Sequence, residues 1–176
     1  SGLKRIEDVS FLRNFQFAED KGPTSHAVKP KEYVAIDNFY TTTIYEKGSE
    51  LIRMLELLLG HKRFMKGVNV YIQDFDGRAA TTEDFNKSLL KGAFPGEESC
   101  TFDFDKFQNW YYQSGTPKVY IRQHWDSKNS ILNVFFEQKL DTAITNEKKE
   151  MVIPILYSCY SREKDCKPIV EDKLFV

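Results

Sequence analysis

The chain has 176 residues, 41% of them apolar, and a formal net charge of −1. That length allows one or two domains with a modest core, and the near-neutral balance supplies no basic field for a nucleic-acid backbone. No apolar run approaches the roughly 18 residues a membrane span needs; the longest are patches such as Leu57-Leu58-Leu59.

In chain order, the first legible element begins at a threonine run. Thr41-Thr42-Thr43 lies between Tyr40 and Tyr45, and Glu46-Lys47-Gly48 follows. β-Branched side chains lose rotamer freedom in a helix and their hydroxyls bond local backbone, so this run resists a regular helix. The apolar helical period becomes clear over residues 50–59, with Ile52, Leu55 and Leu59 on one stripe and Gly60 placed as a stop. Phe64, Val68, Tyr71 and Phe75 then mark one face of a second helix, which Asp76-Gly77 ends as a turn. Thr81 or Thr82 can cap a third helix, with Glu83 and Asp84 favourable in its first turn and Phe85 and Leu89 on its buried side. Residues 93–99 read as a loop. Phe104, Phe107 and Tyr111 mark a fourth helix, stopped by Gly115 and Pro117. These aromatic stripes are assigned to packing.

From residue 118 the period changes. Val119, Ile121 and Gln123 alternate with Tyr120, Arg122 and His124, which predicts a half-buried strand. The turn formers 126–130 lead to a hairpin partner, Ile131–Gln138. A polar link, Asp141–Glu150, precedes a third run, Met151–Tyr160, in which Pro154 predicts an edge strand or a bulge. Residues 162–165 turn the chain again, so three or four antiparallel strands are expected, half a sandwich. Cys100, Cys159 and Cys166 are scattered and odd in number. Cys159 and Cys166 can pair if a hairpin joins them, but free thiols are the expectation, which favours a reducing, cytoplasmic setting.

Several blocks of the chain resemble, in the right order, the aminopeptidase N family of zinc metallopeptidases. Gln16-Phe17-Ala18-Glu19-Asp20, Gly22-Pro23 and Ser25-His26-Ala27-Val28-Lys29-Pro30 resemble the lead-in to that family's tyrosine segment, and residues 38–48 resemble the segment itself. Glu46–Met54 is similar to its next helix. Asp76-Gly77, Ala79-Ala80-Thr81 and Asp84-Phe85 follow at the family's spacing, and Trp110-Tyr111-Tyr112-Gln113-Ser114-Gly115-Thr116-Pro117 closes the match. The resemblance implies an α+β protein. Residues 1–117 would be the C-terminal helical portion of a thermolysin-like catalytic domain, and residues 118–176 the start of an incomplete antiparallel β-sandwich domain.

The family binds zinc through H-E-x-x-H plus a glutamate on the next helix. None of the three histidines, His26, His61 and His124, begins that motif, and no pair has ligand spacing. The resemblance places residue 1 just after the metal helices. The expectation is therefore a piece of an aminopeptidase in which zinc belongs to the parent enzyme and none is bound by this chain.

On composition alone, Tyr40 and Tyr45 are half-buried packing residues with a wet tip. The resemblance implies more. Tyr45 matches the family's catalytic tyrosine, whose phenol stabilises the oxyanion formed when zinc-activated water attacks the peptide carbonyl. Tyr40 and Asp37 match positions beside the pocket for the substrate's first side chain, although a turn or cap carboxylate is an equal reading of Asp37. Glu46 is taken as an exposed first-turn acid, and His26 matches a structural histidine. Asp74, Asp76, Asp84, Asp103 and Asp105 lack the ligand spacing of a calcium loop and are assigned to turns and caps.

The resemblance thus implies a parent that removes single residues from peptide N-termini, and an isolated chain without activity. Peptide substrates would be met through the parent; no nucleic acid and no membrane segment is expected for this chain. Apolar surface left uncovered without the metal domain favours self-association. The alternative from another class is a non-catalytic helical interaction module with an aminopeptidase-like fold. A third is a related zinc hydrolase that opens epoxides as well as trimming peptides.

Overall fold

A computed structural model of the chain describes residues 2–96, 100–140, 149–160 and 168–176. It is α+β, with helices first and antiparallel strands after them. The chain divides into two compact units: residues 1–49 with 108–151, and residues 50–107 with 152–176.

In the first unit, α1 (Gly2–Phe11), a π-turn (Leu12–Gln16) and α2 (Phe17–Lys21) follow without a break. A 3-10 turn, Ile36–Phe39, comes next, and then a second π-turn, Thr43–Lys47. The threonine run is thus helical but wider than an α-helix: the Gly48 N–H donates to the Thr43 carbonyl five residues back. The turn runs into α3 (Gly48–Leu59). Burial recurs every fourth residue, at Thr43, Lys47, Leu51, Leu55 and Leu59. Ile52, expected on the buried stripe, is exposed, and Leu51 takes its place. Both positions fit a 3.6-residue period; the buried threonine and lysine upstream fix the face, and apolar counting passed over them.

The strands β1 (Lys118–Asp126) and β2 (Ile131–Lys139) form an antiparallel hairpin pairing Lys118 with Lys139 and Asp126 with Ile131. The Asp126 carboxylate closes the turn by accepting from Lys128 N, Asn129 N and Asn129 Nδ2. β1 is not half-buried: Ile121 is 63% exposed and Tyr120 47%. Alternation decides which side chains share a face, whereas burial needs a layer to cover that face, and a two-stranded ribbon has none of its own.

In the second unit, Gly60 separates α3 from α4 (His61–Phe75), which packs against α5 (Thr82–Ala93). Thr81 caps α5 in a reciprocal box. Its hydroxyl accepts from Asp84 N at 3.1 Å, and the Asp84 carboxylate accepts from Thr81 N at 2.9 Å. Phe64 and Leu89 are buried, and Tyr71 meets Phe85 edge-on at 5.1 Å. The helices nearly touch at Gly67 and Gly92, where a Cβ on either would lie 2.6 Å from backbone of the other helix.

The expected fourth helix is two short ones, α6 (Phe104–Phe107) and α7 (Asn109–Tyr112), because Tyr111 N donates to the carbonyl of Gln108 and tightens the backbone there. Asp103 opens α6 by accepting from Lys106 N at 2.9 Å, the cap role expected of it. β3 (Ile155–Tyr160) begins one residue after Pro154 and pairs with β4 (Pro168–Phe175), its register irregular near Cys159. The four strands therefore form two separate two-stranded sheets rather than one. Cys100 and Cys159 are free thiols. Cys166, whose pairing with Cys159 is conditional on a hairpin, the turn at 162–165 and most of the 141–150 link lie outside the described residues. Among the described residues no helix is long and apolar enough to cross a membrane.

Gly67→Ala and Gly92→Ala should each force α4 and α5 apart and cost about 1–3 kcal/mol as overpacking. Urea unfolding of each variant checks this; a midpoint equal to the original would show that the contact yields.

Candidate active-site segment

The tyrosine segment is held by polar groups from α2 and the π-turn before it. Within residues 16–20 the side chains of Gln16 and Asp20 are buried, and Glu19 faces the threonines. A single oxygen, Glu19 Oε2, accepts from Thr42 Oγ1 at 2.6 Å, Thr43 Oγ1 at 2.7 Å and Thr43 N at 2.8 Å. Gln16 Nε2 donates to Thr43 Oγ1 at 3.3 Å, so that hydroxyl accepts from one side and donates to the other. Thr41 Oγ1 accepts from Ile44 N and lies 2.9 Å from His26 Nε2.

One helical step further, Asp20 meets Lys47. Lys47 Nζ donates to Asp20 Oδ2 and to the carbonyl of Gly115, both at 3.0 Å. Thr116 Oγ1 donates to Asp20 Oδ2 at 2.8 Å, and Gly115 N to Asp20 Oδ1 at 3.3 Å. Gly115 has φ +92°, a conformation that suits glycine and turns both its polar groups toward the pair.

Burial pushes the Glu19 carboxyl up, but the hydrogen bonds from Thr42 and Thr43 outweigh it and hold it below its usual range. Asp20 behaves alike: burial raises it, while Lys47, Gln16 and Thr116 bring it below normal. Lys47 is lowered because burial penalises its charge more than Asp20 offsets.

Tyr45 N donates to the Thr41 carbonyl at 3.1 Å, and its ring projects away from the buried Thr43–Lys47 side. Tyr45 is 57% exposed and Tyr40 70%; their rings stack with centroids 6.2 Å apart and planes at 27°. Asp37 sits in the 3-10 turn with its side chain exposed and joins Tyr40 through backbone, its carbonyl accepting from Tyr40 N at 3.0 Å. Asn38 Oδ1 accepts from Val34 N and Ala35 N and fixes the approach to that turn. Tyr40 and Tyr45 are therefore brought together, with Asp37 beside them along the chain. Glu19, Asp20 and Lys47 belong to the motifs that carry the resemblance, but the motifs assign them no role. The signal available was two polar pairs of equal four-residue spacing, Gln16/Asp20 and Thr43/Lys47, each lining one helical face.

Among the described residues no group of three or more His, Cys, Asp or Glu side chains is placed to hold a metal ion. His61 Nδ1 meets Glu56 at 2.7 Å on the surface, and His26 contacts a threonine, so neither belongs to a ligand set. The donors described do not fit a zinc site.

The model described as the peptidase family M1 domain matches residues 6–110, and that of a domain of unknown function (DUF3458) with an Ig-like fold matches residues 115–175. The chain belongs to peptidase family M1. It is 42% identical to aminopeptidase N of Haemophilus influenzae over 159 residues, 90% of this chain and 18% of that protein. It is 35% identical to aminopeptidase N of Escherichia coli over 168 residues, 95% of this chain and 18% of that protein. Identity to the Caulobacter vibrioides aminopeptidase N is 46% over 127 residues, 72% of this chain and 14% of that protein. Among solved structures, Legionella pneumophila aminopeptidase A in complex with aspartic acid superposes with a TM-score of 0.65 at 25% identity, covering 85% of this chain and 16% of that one. The chain thus spans less than a fifth of the length of these relatives.

Glu19 and Asp20 bind protons less readily folded than unfolded. Their contribution is present above the ordinary carboxylate range, about pH 4, and is lost as pH falls through their lower folded values. Lys47→Met, which strands the Asp20 charge, should cost about 3–5 kcal/mol at pH 7. The cost should shrink as pH falls through the lowered folded value of Asp20, where the carboxylate takes up a proton and needs no counter-charge. Urea unfolding at pH 7 and at successively more acidic pH tests this; a pH-independent cost would show that the loss is packing alone.

Proposed function

We propose that this chain is the part of a zinc-dependent aminopeptidase that supplies the oxyanion-stabilising phenol, Tyr45, and part of the pocket for the substrate's first side chain, through Tyr40 and Asp37. The observation that carries the reading is the exposed Tyr45 ring on a backbone fixed from behind by Glu19 and Lys47. Support also comes from the relatives, which are named aminopeptidases. The domain division follows: residues 1–117 belong to the end of the catalytic domain and residues 118–176 to the start of a β-sandwich domain.

The chemistry of the chain's own residues is definite. Attack on a peptide carbonyl turns its oxygen into an anion and moves it out of the carbonyl plane. A phenol O–H aimed at that later position bonds the transition state more strongly than the substrate, which raises kcat. A ring reachable from solvent and stacked on a second ring can present such a donor; a core tyrosine cannot. Zinc, when present in the whole protein, supplies Lewis acidity at the carbonyl, and its ligands come from sequence outside this chain. The isolated chain is accordingly inactive.

In the whole protein Tyr45→Phe should lower kcat about 100- to 1,000-fold while KM and zinc content stay near their original values. Steady-state kinetics with an aminoacyl anilide and metal analysis decide it; a variant keeping most of its kcat ends the assignment.

The exposed apolar side chains Leu3, Ile6, Phe15, Val34 and Ile36 support a further reading, that the isolated chain associates with itself. Light scattering should give a mass above the monomer that grows with concentration, and a constant monomer mass at high concentration overturns it.

A further inference from the structure

We propose that Glu19 is a positioning residue for Tyr45: its carboxylate sets the first turn of the tyrosine segment and through it the location of the phenol. The inference rests on the function proposed for Tyr45 and extends it to a side chain outside the tyrosine segment.

Three observations converge. One carboxylate oxygen takes all three hydrogen bonds, two from hydroxyls and one from the backbone N–H that opens the π-turn. Such charge-assisted bonds are short and directional, so the oxygen defines where Thr42 and Thr43 sit. Next, a threonine hydroxyl in a helical turn otherwise bonds a carbonyl of its own preceding turn, which bends the segment and competes with its hydrogen bonds. Glu19 captures the hydroxyls of Thr42 and Thr43 together, and the Gln16 bond to Thr43 Oγ1 leaves that hydroxyl's proton for Glu19. Lastly, the Tyr45 ring is mostly exposed, so its place is inherited from the backbone more than from packing around it. Tyr45 lies two residues beyond Thr43, and its N–H bonds Thr41, so a shift of the clamped turn is carried to the ring. Misplacement of a catalytic group by about 1 Å can cost on the order of 100-fold in rate.

Asp20 is excluded from this role because Lys47, Gly115 and Thr116, the partners it holds outside its own helical stretch, lie beyond the tyrosine and tie the end of the turn, while its bond with Gln16 stays within residues 16–20. The three hydrogen bonds to Glu19 Oε2 all come from Thr42 and Thr43, so its work is local geometry.

The test is a double-mutant cycle in the whole protein with Glu19→Ala and Tyr45→Phe, read by kcat, KM, zinc content and backbone amide exchange. Glu19→Ala should lower kcat about 10- to 100-fold with KM and zinc content within about twofold. It should cost nothing further once Tyr45 is Phe. Exchange over Thr43–Lys47 should accelerate about tenfold or more while Thr82–Ala93 stays unchanged. Glu19→Gln, which keeps an acceptor in place, should recover most of kcat. If Glu19→Ala does not fold, Thr42→Val removes one of the three bonds and should give a smaller loss of the same pattern. An equal loss in both Tyr45 backgrounds, or full kcat in Glu19→Ala, overturns the positioning role and leaves Tyr45 as assigned. Full kcat in Tyr45→Phe instead overturns the function proposed for Tyr45.

Discussion

Two consecutive acids, Glu19 and Asp20, hold three stretches of chain that sequence keeps far apart: residues 16–20, 41–47 and 115–116. Neighbouring residues on a helix point about 100° apart, so adjacent carboxylates can serve different partners without competing. Glu19 takes the threonines that open the tyrosine segment, and Asp20 takes the lysine that closes it. Between these anchors lie Ile44, Tyr45 and Glu46, of which Tyr45 is exposed while Ile44 and Glu46, the latter expected to be exposed, are half-buried. Remove either anchor and buried donors or a buried ammonium lose their acceptor, which costs more than the bonds themselves were worth.

The wide turn between the anchors follows from the same demand. Thr43 and Lys47 must both face inward, to Glu19 and Asp20, while Tyr45 between them faces out. A turn with more residues than an α-helix keeps positions four apart more nearly on one side, and the π-turn at Thr43–Lys47 does this where the polar partners are. A second π-turn, Leu12–Gln16, stands opposite and delivers Gln16 to Thr43. The two irregular turns meet through side-chain polar groups.

The regular elements were legible where one physical rule acts alone. The period of Phe64, Val68, Tyr71 and Phe75 marks α4 because that helix buries a single face, and the turn formers after Asp126 mark the β1–β2 hairpin. The Thr81 cap was legible because capping is local chemistry. Burial was not. Ile52 and Leu51 fit the α3 pattern equally, and the choice came from Thr43 and Lys47, which apolar counting treats as surface. Alternation in β1 predicted a covered face that the hairpin does not have, since a period reports orientation and never what lies opposite. In the candidate site motif resemblance singled out Tyr40 and Tyr45, whose rings stack, while the support of their segment was hidden in Gln16, Glu19, Asp20 and Lys47, four residues normally assigned to solvent.

Why the support is polar has a physical answer in register. Apolar side chains would hold the two segments together at least as strongly, because desolvating an ion pair consumes much of its attraction. Apolar contacts, however, tolerate sliding: Leu against Ile differs little from Ile against Leu. Here a slip of the tyrosine segment by one residue would set Glu46 or Gly48 in the place of Lys47, facing Asp20. The first puts two carboxylates together in a buried setting, and the second leaves Asp20 without its lysine. At the other end Thr43 would give way to Thr42 or Ile44, and the Ile44 case strips Glu19 of a hydroxyl bond. Each misregistered state is penalised by several unmet polar groups at once, so one alignment stands apart from its neighbours. Under the role proposed for Tyr45, a ring whose placement sets the rate gains more from that gap than from added stability.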